Sequence, residues 1–136
     1  NPLAEGSVII EHAAPINVPV YIWRTNQVLI TLRAKDFAFV LEESLSHIFQ
    51  IIHANRLRVS LIQSSAVTIS VCVDNSRFVA KAIEQLQDAY RVTWNENLSL
   101  LTIRGTTPDI LKQEQQGRDI LLSQLTRRTA KLVIKD

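Results

Sequence analysis

The residues with the chemistry to catalyse are few: three histidines (His12, His47, His53) and one cysteine, Cys72. Nucleophilic catalysis needs a serine or cysteine held beside a histidine, and no local motif supplies that pairing. His47 and His53 stand six residues apart, which puts them on different faces of a helix, and a single cysteine adds no metal-ligand spacing. A phosphate-cradling loop or a dinucleotide fingerprint needs several close glycines. The three here, Gly6, Gly105 and Gly117, are scattered, so ATP and NAD sites of those kinds are excluded. The histidines read as bystanders and Cys72 as a small core-like residue. The chain is expected to carry no catalytic machinery, no metal and no cofactor of its own.

Composition narrows the class. With 136 residues and 46% apolar residues, the chain can bury a sizeable core as one domain or two very small ones. Its fifteen Lys and Arg are spread along the chain and the net charge is +2, which gives no nucleic-acid footprint. No apolar run reaches the roughly 18 residues of a membrane span, so no membrane association is expected. A lone cysteine forbids an internal disulfide and fits a reducing cytoplasm. The start at Asn1 has neither the basic nor the apolar region of a signal peptide, and it lacks a methionine, which predicts a piece of a longer protein.

The elements follow from periodicity. Val28 to Arg33 is rich in β-formers and predicts a strand, followed by a loop from Ala34 to Glu43. Leu45, Ile48, Phe49 and Ile52 predict one apolar helix face, with Glu42 and Glu43 suiting its N-terminal dipole. Leu57 to Gln63 is a second strand, with Leu57, Val59 and Leu61 facing the helices. Ser64 and Ser65 make a tight turn. Val67 to Val73 alternates, with Val67, Ile69, Val71 and Val73 on one face and Thr68, Ser70 and Cys72 on the other. Ser76 is a good N-cap, and Val79, Ala82, Ile83 and Leu86 form the stripe of a second helix. Arg91 to Trp94 closes the set as a fourth strand, and Trp23 and Trp94 are expected to anchor packing. The order β-α-β-β-α-β is a ferredoxin-like split βαβ unit, an antiparallel sheet with both helices on one side.

The pattern then begins again. Ser99 to Arg104 echoes Val28 to Arg33, a shorter helix is expected after Pro108, and Ile120 to Asp136 echoes Val59 to Asn75. Gln124 matches Gln63, Thr129 matches Thr68 and Leu122 matches Leu61. The second copy lacks a second helix and fourth strand, and Val18 to Trp23 is the obvious segment to complete its sheet. The expected organisation is therefore an α+β chain of two ferredoxin-like repeats, the first inserted in the second. Residues 26–95 form the first repeat, and 18–25 plus 96–136 the second.

The runs from Asn26 to Leu32 and from Arg58 to Val71 resemble the tandem ACT domains of aspartate kinase, ferredoxin-like modules that bind amino acids at dimer interfaces. The ungapped hairpin from Gln63 to Val67 is most similar to the single-function, lysine-sensitive branch. The opening run from Asn1 to Ser7 resembles the segment with which the kinase domain ends, so residues 1–17 would be its tail and linker. The resemblance implies an allosteric sensor giving feedback control of lysine and threonine synthesis. Its partners would be a second copy, an amino-acid effector and its own kinase domain, where ATP and magnesium would act upstream.

The resemblance also places the effector. It would lie between the loop after the first strand (Phe39, Val40, Ser44), the second strand (Arg58, Val59, Ser60) and the hairpin (Gln63, Ser64, Ser65). A helix N-terminus near Ser44 would offer free N–H groups to a carboxylate, and strand carbonyls and serine oxygens would suit an ammonium. Lysine-sensitive members carry Asp where Ser60 stands and Glu where Ala66 stands. Glu43 stands about where members often have a glycine. Those losses, with Arg58 added, disfavour a cationic ligand, whereas Gln63-Ser64-Ser65 resembles threonine-sensitive members. Lysine, threonine and no effector all stay open. A ligand-free module that only dimerises the kinase is the alternative, and an RNA-binding ferredoxin fold is rejected because Thr68, Ser70 and Cys72 offer no aromatic for base stacking. Arg127 and Arg128 read as a solvated hairpin tip, replacing small turn residues and arguing against an effector site in the second repeat.

Overall fold

A computed structural model describes residues 18–35 and 41–136. In chain order these form β1 (Val20–Ala34), α1 (Leu41–Ala54), β2 (Val59–Ser64), β3 (Thr68–Asp74), α2 (Val79–Gln87), β4 (Tyr90–Arg104), α3 (Pro108–Gln115), β5 (Ile120–Thr126) and β6 (Thr129–Lys135). Internal contacts divide the chain into two units, one of Arg24–Leu100 with Lys135–Asp136, the other of residues 18–23 with Leu101–Ile134. The architecture is α+β and consistent with ACT-like ferredoxin folds.

In the Arg24–Leu100 unit the strand order is β2-β3-β1-β4, the order of a ferredoxin-like βαββαβ unit. Alternation along the strands builds its core. Val28, Ile30 and Leu32 of β1 lie opposite Val73, Val71 and Ile69 of β3, and all six are buried on the helix side. Against them pack Ile48 and Ile52 of α1 and Val79, Ala82, Ile83 and Leu86 of α2. At about 1.5–3 kcal/mol per large side chain, this layer is the main source of stability in the unit. The two helices are tied by Asn55, whose side-chain amide donates to the Ile51 carbonyl at 2.8 Å and to Gln85 Oε1 at 2.7 Å.

Several sequence expectations need correction. Phe49 lies off the buried stripe, which runs through Ser44, Ile48, Ile52 and Asn55 at helical spacing, and it is 43% exposed. Ser76 does not cap α2 directly: its hydroxyl accepts from the Phe78 N–H at 3.3 Å in the turn that precedes Val79. Trp23 and Trp94 are 48% and 43% exposed and anchor no core; the Arg118 guanidinium sits over the Trp23 ring. Leu61 does not face the helices. A bulge between Val59 and Leu61 shifts the register, so Val59 pairs with Val73 while Leu61 pairs with Cys72 on the opposite face. Arg91–Trp94 and Ser99–Arg104 are one strand, β4, with Asn97 at a positive φ of 60° within it.

The other unit is thinner. Leu101 and Ile103 of β4 join Ala130, Leu132 and Ile134 of β6, with half-buried Ile110, Leu111 and Ile120 packed on them. Its helix α3 starts with Thr107 as N-cap and Pro108 in the first turn, and it buries no residue fully. Gly105, at φ +75°, lies where a Cβ would meet the Val18 carbonyl oxygen at 3.6 Å, so both backbone conformation and close approach favour glycine.

Backbone irregularities recur at matched places. Asn26 and Asn97 both have positive φ, 54° and 60°, and each carbonyl accepts an amide proton, from Asn75 at 2.9 Å and from Asp136 at 3.0 Å. The bulge at Val59/Leu61 has its counterpart at Ile120/Leu122. Left-handed Arg56 after α1 matches left-handed Gly117 after α3. Among the described residues no helix is long and apolar enough to cross a membrane.

Candidate functional site

The sheet face of the Arg24–Leu100 unit that looks away from α1 and α2 carries a polar cluster. Alternation puts Gln27, Leu29 and Thr31 of β1 on this face, opposite Asp74, Cys72 and Ser70 of β3. Gln27 is fully buried and all its hydrogen-bonding capacity is used. Its Nε2 donates to Asp74 Oδ1 at 2.7 Å and to the Thr25 carbonyl at 3.1 Å. Its Oε1 accepts from Ser60 Oγ at 2.9 Å and from Cys72 Sγ at 3.4 Å. Arg24 closes the set from the solvent side, donating to Ser60 Oγ at 3.2 Å and standing 3.8 Å from Asp74 Oδ1.

The electrostatics follow. Burial, reinforced by the Asp74 carboxylate and partly offset by Arg24, pushes the Cys72 thiol up to about 11. Cys72 therefore stays protonated and donates, as the network requires. The Arg24–Asp74 pair is half-exposed and contributes little stability by itself.

The expected effector residues divide into groups. Ser60 lies in the cluster and Gln63 stands beside it, opposite Ser70. Ser65 shapes the hairpin, its N–H donating to the Thr68 carbonyl at 2.8 Å, and Ser64 ends β2 and is exposed. Arg58 is exposed and its carbonyl accepts from the Asp74 N–H at 3.0 Å. Val59 belongs to the opposite, helix-facing side. Ser44 is buried, at 8% exposure, and α1 begins at Leu41, so the helix N-terminus lies three residues earlier than expected. Phe39 and Val40 lie outside the described residues. The sequence reading missed Arg24, Gln27 and Asp74. A glutamine opening the β-run Val28–Leu32 was the available signal, since a polar side chain at that register must find partners on the sheet.

No protein-family model matches the chain, and no curated protein matches it by sequence. Solved structures do. One described as a C-terminal regulatory domain of aspartate kinase from Porphyromonas gingivalis W83 superposes with a TM-score of 0.75 at 13% identity, covering 88% of this chain and 87% of that one. The fold is that of aspartate kinase regulatory domains. E. coli aspartokinase III, in complex with lysine and aspartate, matches with a TM-score of 0.69 at 18% identity over 85% of this chain and 29% of its own length. The regulatory subunit of aspartate kinase from Thermus flavus matches at 0.63 and 14% identity, with 85% and 86% covered. The chain thus spans nearly the whole of isolated regulatory domains and less than a third of the E. coli enzyme.

Proposed function

We propose that this chain is the amino-acid-sensing regulatory part of an aspartate kinase and gives feedback control of lysine or threonine synthesis. The observation that carries the reading is the shared fold along almost the full length of both chains in the Porphyromonas comparison. The effector would bind along β2, at Arg58 to Ser60 and Gln63 to Ser65, with the Phe39–Ser44 segment beside it. A second copy of the chain and the kinase domain are its partners, the kinase domain holds ATP and magnesium, and the setting is the cytoplasm. An effector shifts the kinase between states only by binding one of them more tightly.

The domain reading is part of the proposal: residues 1–17 as the kinase tail, 26–95 as the first repeat, 18–25 with 96–136 as the second, the first inserted in the second. Its support is the matched bulges, left-handed residues and asparagine-anchored hydrogen bonds. Residues 1–17 lie outside the described residues.

One observation favours the ligand-free alternative. Ser60 already donates to Gln27 and accepts from Arg24, so its hydroxyl is satisfied without an effector. Calorimetric titration with lysine and separately with threonine, alongside light scattering, separates the readings. Saturable heat with one of them on a dimer supports the sensor; a folded dimer silent to both supports the association module. Ser60→Asp, which restores a carboxylate, is expected to raise lysine affinity; unchanged affinity would remove Ser60 from the account.

A further inference from the structure

The unit containing α3 holds a cavity of about 270 Å3 that the effector reading does not use. Its walls come from one side of α3, the two threonines before it and the tip of the β5–β6 hairpin. Pro108, Leu111 and Leu125 give it apolar lining, Lys112 and Arg127 line it beside Thr106, Thr107 and Gln115, and among the described residues no carboxylate does. Among the described residues neither cation is in an ion pair. The hairpin is fixed where it meets the helix: the Thr106 N–H donates to the Arg128 carbonyl at 2.8 Å, next to Arg127 at φ 53°. The Thr107 hydroxyl accepts from the Ile110 N–H, which holds the first turn of α3.

We propose that this cavity binds a small organic carboxylate with an apolar tail, its charge taken by Lys112 and Arg127 and its tail by Leu111 and Leu125. Lys112 and Arg127, in no ion pair among the described residues, line the same cavity as Pro108, Leu111 and Leu125, so a cationic and an apolar surface meet there. A molecule with a carboxylate and an apolar tail suits both, and an arginine fork can take a carboxylate with two parallel hydrogen bonds. The volume suits a molecule of a few carbons. Arg127, which argues against an amino-acid effector at this hairpin, and Lys112 put two cationic side chains on the lining, which suits it to an anion.

The test uses amide NMR of the chain titrated with 3-methylbutanoate, with acetate for the charge alone and 3-methylbutan-1-ol for the tail alone. The expected result is saturable shifts at Thr106 to Leu111 and Leu125 to Arg128. Binding by acetate should be at least about ten-fold weaker, and the alcohol should give none. Arg127→Ala and Lys112→Ala are both on exposed side chains, and each should weaken 3-methylbutanoate about ten-fold while leaving distant amides in place. Equal shifts from the alcohol, or affinity unmoved in the double variant, would overturn the site.

Discussion

The same strand positions hold opposite chemistry in the two halves of the chain. Gln27 follows Asn26 as buried Leu98 follows Asn97, and by the Gln63–Gln124 match Ser60, Cys72 and Asp74 correspond to Leu121, Val133 and Lys135. One half has a hydrogen-bonded cluster where the other has the apolar Leu98, Leu121 and Val133, with Lys135 in the place of Asp74. Beneath it, one half packs two helices over its sheet, while the other has a single short helix with no fully buried residue. The backbone pattern of bulges and left-handed residues is common to both, so side-chain chemistry, and not strand geometry, distinguishes the half that could respond to a polar ligand.

Core truncation breaks the comparison hardest. Ile48→Ala, at a fully buried site under two helices, should cost about 2–5 kcal/mol. Leu111→Ala, on half-buried α3, should cost about 1 kcal/mol or less, because less apolar area leaves water. Denaturant midpoints at constant slope would check both.

Importing the apolar half's residue comes next. Gln27→Leu strands the Ser60 hydroxyl and the Asp74 carboxylate and should cost about 1–3 kcal/mol. Adding Ser60→Leu should recover part of it, a coupling that a double-mutant cycle reads directly. Strictly additive costs would mean that the two side chains do not act as one network.

Proton binding gives an effect of similar size. The folded Cys72 thiol keeps its proton to about 11 against an ordinary 9.0. Between those values the folded state holds more protons than the unfolded one. Stability should therefore be complete below about pH 9 and fall as pH rises to about 11, by roughly 2–3 kcal/mol. Cys72→Ala should flatten that part of the curve, and thiolate absorbance should appear only near the upper end. Arg24→Ala is the smallest change, about 0.5 kcal/mol or less, because its pair with Asp74 is half-exposed.

Much of this was legible in the sequence because it is periodic. The stripe Val79–Ala82–Ile83–Leu86 and the alternation Ile69–Val71–Val73 appear as expected. What escaped depends on single residues that break the period. A bulge at Val59/Leu61 turns Leu61 over, and β4 runs on through left-handed Asn97 where two strands were expected. Of the cluster, Ser60 was singled out by resemblance. Its partners Arg24, Gln27 and Asp74 lie 36, 33 and 14 residues away in sequence and meet it only through strand pairing.

The most direct test of the sensor reading is amide NMR of the chain with lysine and, separately, threonine added to millimolar excess. The account predicts saturable shifts with one of them, centred on Arg58 to Ser65 and on Gln27. Unchanged spectra with both, from a well-folded dimer, would contradict amino-acid sensing.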